Sequence, residues 1–245
     1  MQAHELAQYA QQIKLFDIGI SGQNKLKNSK VLCVGAGGLA SSCLLYLSAA
    51  GVGTLGVMDD DCVELSNLPR QILYDQSHVG KPKVTVAAEK IKNANEMVTY
   101  QEKLTTNNAE TIFQNYDIVV DCTDNFTARY LINDMCVKTN KPFVFASINE
   151  YKGQAGVVNG SIGPCYRCLF PSAPTAGVIN TCESGGVLGP LPGILGLIQA
   201  TEVVKHILKL GEGLVSKLLL IDIFTMQFEK FHFSRDPNCQ YCRLA

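Results

Sequence analysis

The tightest constraint in this chain is a glycine-rich loop set between a short apolar run and a helix-like stretch. Val31-Leu32-Cys33-Val34 leads into Gly35-Ala36-Gly37-Gly38-Leu39-Ala40, and residues 39–51 continue with small residues at helical spacing. A strand that ends in such a turn and opens a helix brings backbone close to phosphate, and the helix N-terminus favours negative charge. The next apolar run, 54–58, ends at Asp59, about 20 residues further on, where a ribose-binding acid belongs. A tight turn with no ligand would also use glycine, but it has no use for an acid at that distance.

The pattern beyond the loop is α/β. Residues 98–103, 117–122 and 143–146 read as strands, and 84–93, 108–114 and 127–139 as helices, which predicts a parallel sheet covered on both faces. Residues 5–28 look helical and polar. After about Ile148 the pattern changes. Residues 153–159 and 163–170 look like antiparallel strand-and-turn material, and 171–186 reads as a loop rich in Pro, Ser, Thr and Gly. A long helix at 193–210 and a terminal hairpin from 218–223 and 227–233 follow. The predicted fold is a Rossmann-like, doubly wound, mostly parallel sheet extended by antiparallel strands. One domain over 1–245 is expected, with a helical segment (1–28), a nucleotide-binding half (29–148) and a second half (149–245).

A chain of 245 residues, 47% hydrophobic, suffices for one substantial core. With 21 basic and 22 acidic residues there is no basic excess to suggest a nucleic-acid partner. The start, Met1-Gln2-Ala3-His4-Glu5, lacks the basic head and apolar stretch of a signal peptide. The greasiest segment, 188–210, carries Gln199, Glu202, Lys205 and His206, whereas a membrane span needs about 20 apolar residues with few charges. It reads as a buried helix, and the expected location is cytoplasmic, with no membrane partner.

The companions of the loop choose between nucleotides. Asp59-Asp60-Asp61 supplies the ribose acid, and Asp61 could position a basic neighbour. Ser66-Asn67-Leu68-Pro69-Arg70-Gln71 and Lys83 then bring two cations. A dinucleotide's pyrophosphate is commonly satisfied by the helix N-terminus alone, whereas a triphosphate recruits Lys, Arg and a metal. Asp121-Cys122-Thr123-Asp124-Asn125 closes the fourth strand, at the end of the sheet where ligands bind. A carboxylate there suits Mg²⁺ on phosphates, and capping the next helix is the competing role for Asp124.

Ten cysteines are present. Cys165-Tyr166-Arg167-Cys168 and Cys239-Gln240-Tyr241-Cys242 have the spacing of two knuckles of a closed Cys₄ zinc site, with two redox pairs as the alternative. The others lie mostly in apolar surroundings, except Cys182, which stands alone in the polar loop as either a nucleophile or an incidental thiol.

These motifs in this order resemble the ubiquitin-activating superfamily, in its ThiF/MoeB/HesA-type adenylating branch, over nearly the whole chain. The resemblance implies that a ubiquitin-like sulfur carrier, ThiS- or MoaD-like, presents its C-terminal Gly-Gly carboxylate to MgATP. Attack at the α-phosphorus gives an acyl-adenylate and pyrophosphate. Gly35, Gly37, Gly38, Asp59, Asp61, Ser66, Leu68 and Gln71 are then nucleotide residues, and Asn67, Arg70 and Lys83 hold the phosphates. Asp124 binds Mg²⁺ with Asn125 lining the same site, Cys182 matches a loop cysteine that links covalently to the carrier in some members, and 149–245 becomes the carrier-binding and zinc half. A homodimer is implied as well.

One departure stands out. Where the family reads Tyr-x-Arg-Gln-Ile, this chain has Tyr9-Ala10-Gln11-Gln12-Ile13, so Gln11 replaces an Arg that reaches the nucleotide of the other subunit. Phe16 replaces another frequent Arg, and Lys14 is the candidate substitute cation. Two further readings remain. A carrier-binding scaffold with weakened turnover accommodates Gln11. An NAD-dependent oxidoreductase explains the loop and Asp59 but leaves Arg70, Lys83 and the cysteine pairs idle. Thiamin- and molybdopterin-type pathways fit the sequence equally.

Overall fold

In the computed structural model, which describes residues 1–92, 94, 96–159, 163–173 and 186–242, eight strands form one sheet. Strands β1 (Lys30–Val34), β2 (Thr54–Met58), β3 (Glu96–Tyr100), β4 (Ile118–Asp121) and β5 (Pro142–Asn149) pair in parallel in the order β3-β2-β1-β4-β5. Strands β6 (Lys152–Asn159), β7 (Lys217–Asp222) and β8 (Gln227–His232) continue the sheet antiparallel from β5. The expected mostly parallel sheet with an antiparallel extension is therefore what forms.

Among the described residues the α-helices are α1 (Ala3–Gln8), α2 (Ala10–Ile13), α3 (Gly19–Asn28), α4 (Gly38–Ala49), α5 (Lys83–Lys90), α6 (Ala109–Phe113), α7 (Phe126–Lys138), α8 (Tyr166–Leu169) and α9 (Pro190–Leu208). They divide the sheet's two faces. Val31 and Cys33 of β1 join a core with Leu44 and Leu47 of α4, Val86 of α5 and Leu195 and Val203 of α9. Leu32 and Val34 point the other way, into a core with Phe113 of α6, Ile132 and Cys136 of α7, and Tyr166. A strand apolar on both faces has no alternation to fix its register. Hydrogen bonds at its end do so: Gly35 N–H donates to the Met58 carbonyl at 2.7 Å, and Cys122 N–H to that of Val34 at 2.8 Å. Gly35 has φ +97°, and a Cβ there would lie 2.6 Å from the Cys122 carbonyl oxygen, so glycine is required on two counts.

Helix α9 is long and apolar enough to cross a membrane by length and composition, yet half of it is buried inside the fold. It lies close against α4, where Ser42 Oγ donates to the Gly193 carbonyl at 2.9 Å. Its inward polar groups are all engaged. Gln199 Nε2 donates to the Asp121 carbonyl at 2.7 Å, and Glu202 accepts from Leu214 N–H and Lys205.

Two local expectations change. The helical segment 5–28 breaks into three helices, because Leu15, Phe16 and Asp17 are exposed with no core to pack on and Gly19 takes φ +55°. The stretch 163–170 is not a strand. Its Cys165 caps the short helix α8, whose Cys168 N–H bonds back to the Cys165 carbonyl at 3.0 Å. Most of the predicted 171–186 loop, including Cys182, lies outside the described residues.

Candidate active site

Strand order reverses between β1 and β4. The chain leaves β1 through α4 toward β2, and leaves β4 through α7 toward β5 on the opposite face, so a crevice opens at their carboxyl ends. A cavity of ≈ 1140 Å³ occupies it. Ligand pockets commonly enclose about 300–1,000 Å³, so this one has room for a nucleotide and a second group beside it.

The loop after β1 forms one wall. Helix α4 has Gly37 at its N-cap, with no side chain closing its first amides, so they remain for a ligand. Gly38 is held under Pro192 of α9: a Cβ there would meet the proline Cβ at 2.9 Å and the Arg70 carbonyl at 3.0 Å. Asp59 braces this wall, with Oδ2 accepting from Ala36 N–H at 2.6 Å and Oδ1 from Asp61 N–H at 2.8 Å. Burial raises its pKa, against the pull of the Lys83 charge and these two amides. Each oxygen retains acceptor capacity for a hydroxyl.

The two cations, Arg70 and Lys83, both line the cavity. Lys83, the first residue of α5, has a side chain only 7% exposed, and its Nζ lies 2.8 Å from Oδ2 of Asp61, which is 67% exposed. Half-buried Arg70 donates from Nη1 to the Ser66 carbonyl at 2.9 Å. Gln71 is buried beside it on the wall, and its Oε1 has no hydrogen-bond partner among the described residues. Ser66, Asn67 and Leu68 do not line the cavity. They build the turn behind Arg70, where the Asn67 carbonyl accepts from the N–H groups of Arg70 at 3.1 Å and Gln71 at 3.0 Å.

The turn after β4 forms the facing wall. Asn125, not Asp124, caps α7, its Oδ1 accepting from Ala128 N–H at 2.9 Å. Asp124 is exposed on the cavity rim, and among the described residues no hydrogen bond or ion pair engages it. The capping role therefore falls to Asn125.

Away from the cavity, Cys165, Cys168, Cys239 and Cys242 converge, with all four Sγ atoms within 4.8 Å of one another. Sγ separations are 3.9 Å for Cys165–Cys168, 3.7 Å for Cys165–Cys239 and 3.4 Å for Cys168–Cys242. Four thiolates about 2.3 Å from a tetrahedral ion stand about 3.8 Å apart, so the cluster is sized for one. Arg167 fastens it to the body, pairing with both oxygens of Asp134 at 2.7 and 2.8 Å and lying between the rings of Tyr130 and Tyr241.

A model of the ThiF family matches residues 9–241. The chain belongs to the ThiF family. It is 44% identical to the "Sulfur carrier protein adenylyltransferase" of Thermus thermophilus, over 97% of this chain and 91% of that protein. It is 42% identical to the "SAMP-activating enzyme E1" of Haloferax volcanii, over 99% of this chain and 90% of that one. The similarity to "Adenylyltransferase and sulfurtransferase MOCS3" of Caenorhabditis briggsae is 46% over 97% of this chain, which spans 60% of that protein's length. Among solved structures, PaaA (TM-score 0.80, 24% identity, 96% of this chain and 76% of that one) and E. coli MccB with ATP (0.75, 24%, 90% and 68%) share the fold.

In this ThiF-family chain the structure adds residues that the motifs did not single out. Arg129 of α7 is 3% exposed and lines the cavity, with Nε 2.6 Å from Asp121 Oδ2. Burial alone would lower its pKa, but the Asp121 charge and hydrogen bond raise it on balance. An arginine inside a helix otherwise offering Tyr130, Ile132 and Cys136 to the core was the available signal. The far end of the cavity is walled by Ser147, Asn149 and Gln154 of the β5–β6 hairpin and by Asp222 and Gln227, which no nucleotide motif marks. Gln11, Lys14 and Phe16 lie outside the cavity lining and are exposed.

Proposed function

We propose that this chain adenylates the C-terminal Gly-Gly carboxylate of a ubiquitin-like sulfur-carrier protein with MgATP, releasing pyrophosphate. The observation that carries this reading is the pairing of a glycine-loop cradle with two wall cations, Arg70 and Lys83, in a cavity of ≈ 1140 Å³, larger than ligand pockets commonly are. The polar far end accommodates an extended peptide tail.

The chemistry asks little of the protein beyond placement. The attacking carboxylate is ionised at pH 7, so no general base is required. Open amides at α4 and the cation of Lys83 hold the phosphates, and Asp59 holds the ribose. Arg70 and Lys83 offset the charge that grows on the leaving pyrophosphate, and confinement of carboxylate and α-phosphorus supplies proximity. Asn67 acts by shaping the turn that presents Arg70, with Ser66 and Leu68 in the same turn and Gln71 beside it.

Two metals fit. Asp124 is an oxygen donor on the cavity rim with no partner among the described residues, which suits Mg²⁺, and Asn125 is adjacent. When bound there, Mg²⁺ neutralises phosphate charge. The four cysteines have the donor type and spacing for zinc, in a closed and therefore structural site. Cys182 is the candidate for a covalent link to the carrier. A homodimer is the proposed assembly, and exposed Leu15, Phe16 and Ile20 provide apolar surface for it. The described cysteines are all free, which fits a reducing compartment, and the cytoplasm is the proposed location.

Gln11 favours one second reading. It is exposed and uncharged where a partner-directed cation is expected, which suits a scaffold that binds carrier with slow turnover. The oxidoreductase reading has little to use, because no histidine lines the cavity among the described residues. ATP–pyrophosphate exchange that requires a carrier ending in Gly-Gly tests the proposal. Carrier binding without exchange supports the scaffold, and binding of neither ATP nor carrier rejects both.

A further inference from the structure

The Asp121–Arg129 pair is buried on both sides, with side chains 0% and 4% exposed. A buried ion pair is seldom a better stabiliser than apolar residues of the same volume, because desolvation cancels most of the attraction. Its value lies in geometry, and here the geometry converges on one turn. Arg129 Nε donates to Asp121 Oδ2 at 2.6 Å, and Nη2 donates to the carbonyls of Thr123 and Ala146, both at 2.9 Å. The other carboxylate oxygen of Asp121 accepts from Thr123 N–H at 2.9 Å and Thr123 Oγ1 at 2.6 Å. Thr123 is therefore gripped at its amide, hydroxyl and carbonyl, and Arg129 ties it across to β5 through Ala146. On the other side, Asn125 is pinned as the cap of α7. Asp124 sits between these two fixed residues with no bond of its own among the described residues, so backbone alone sets its direction.

We infer that Arg129 is a positioning residue that holds the 121–125 turn so that Asp124 faces the cavity ready to bind Mg²⁺ with the nucleotide. This rests on the reading of Asp124 as the magnesium ligand. Arg129 acts at one remove, through the Thr123 carbonyl and Asp121. Groups that orient a metal ligand commonly account for about 10- to 100-fold in metal affinity.

The test is the affinity of the full chain for ATP, measured with Mg²⁺ and again in EDTA, and taken as a ratio. A general loosening of the fold lowers both affinities together, whereas a misdirected Asp124 lowers only the one with Mg²⁺. Wild type should show tighter binding with Mg²⁺, and Asp124→Asn should lose most of that gain. Arg129→Lys keeps the charge but not the planar fork, and should cut the ratio by about tenfold or more. Thr123→Val removes the hydroxyl bond on the half-buried turn and should cut it less, in the same direction. An Arg129→Lys ratio equal to wild type overturns the inference while leaving the Asp124 reading intact. If Asp124→Asn keeps the full ratio, the magnesium reading fails and the inference goes with it. Should Arg129→Lys not fold, Thr123→Val decides, and an unchanged ratio there rejects the proposal.

Discussion

Lys83→Met separates chemistry from stability at one position. The lysine side chain is 7% exposed, so its aliphatic stem is packed and Met preserves most of that packing. Among the described residues its ion pair is with Asp61, at 2.8 Å, and that side chain is 67% exposed. An ion pair so open to water contributes only about 0–1 kcal/mol. In a domain of 150–250 residues that moves the melting midpoint by no more than about 4 °C. The catalytic consequence is far larger if Lys83 offsets charge in the transition state. Loss of such a group costs about 2–4 kcal/mol, and at about 1.36 kcal/mol per tenfold the exchange rate falls roughly 30- to 900-fold. The assay is carrier-dependent ATP–pyrophosphate exchange, with thermal unfolding recorded on the same preparation. An exchange rate indistinguishable from wild type would refute the reasoning. So would a collapse of the melting curve, which would make Lys83 a structural residue.

Arg70→Ala should cost a similar amount, about 2–4 kcal/mol in the exchange barrier, and an unchanged rate would remove Arg70 from the machinery. Gly35→Ala forces a Cβ to within 2.6 Å of the Cys122 carbonyl at φ +97°, so chemical denaturation should show a loss of about 1–3 kcal/mol or more, and a wild-type midpoint would contradict the strain. Burial raises the Asp59 pKa, so on acidification it takes up a proton before an ordinary carboxylate does. ATP affinity should then weaken as pH falls, with a midpoint above the usual value of about 3.9, and a midpoint at or below that value would count against Asp59 as the ribose ligand. Cys239→Ser should lower bound zinc from about one per chain toward none and reduce the melting midpoint, whereas retention of the metal would reject the four-cysteine site.

What was legible in the sequence was whatever depends on local geometry. The Gly35–Gly38 loop, the Asp59 spacing and the alternation of strands and helices follow from backbone needs written into neighbouring residues. The cysteine knuckles were legible because each Cys-x-x-Cys spacing brings two thiols into one turn, although the pairs lie 74 residues apart. The rest depended on tertiary partners. Asp124 and Asn125 were interchangeable as cap and ligand until the turn was seen to give the cap to Asn125. The resemblance implied a phosphate role for Asn67; in the structure it lies outside the cavity lining, and its carbonyl accepts from the N–H groups of Arg70 and Gln71. Arg129 showed in the sequence only as an arginine among core-facing residues of α7, and its role could not be read there because its partners Asp121 and Ala146 arrive from two strands, β4 and β5. The helical pattern at 5–28 broke for want of a surface to bury, which no periodicity reports.

The most direct test of carboxylate adenylation follows the label in the transfer step. The chain is incubated with Mg²⁺, a Gly-Gly-ending sulfur carrier, and ATP labelled at either the α- or the γ-phosphorus. Attack at the α-phosphorus predicts that the α-label moves onto the carrier in a linkage cleaved by hydroxylamine, while the γ-label leaves as pyrophosphate. Appearance of the γ-label on the carrier, or its release as free phosphate with no α-label transferred, would contradict the proposed reaction.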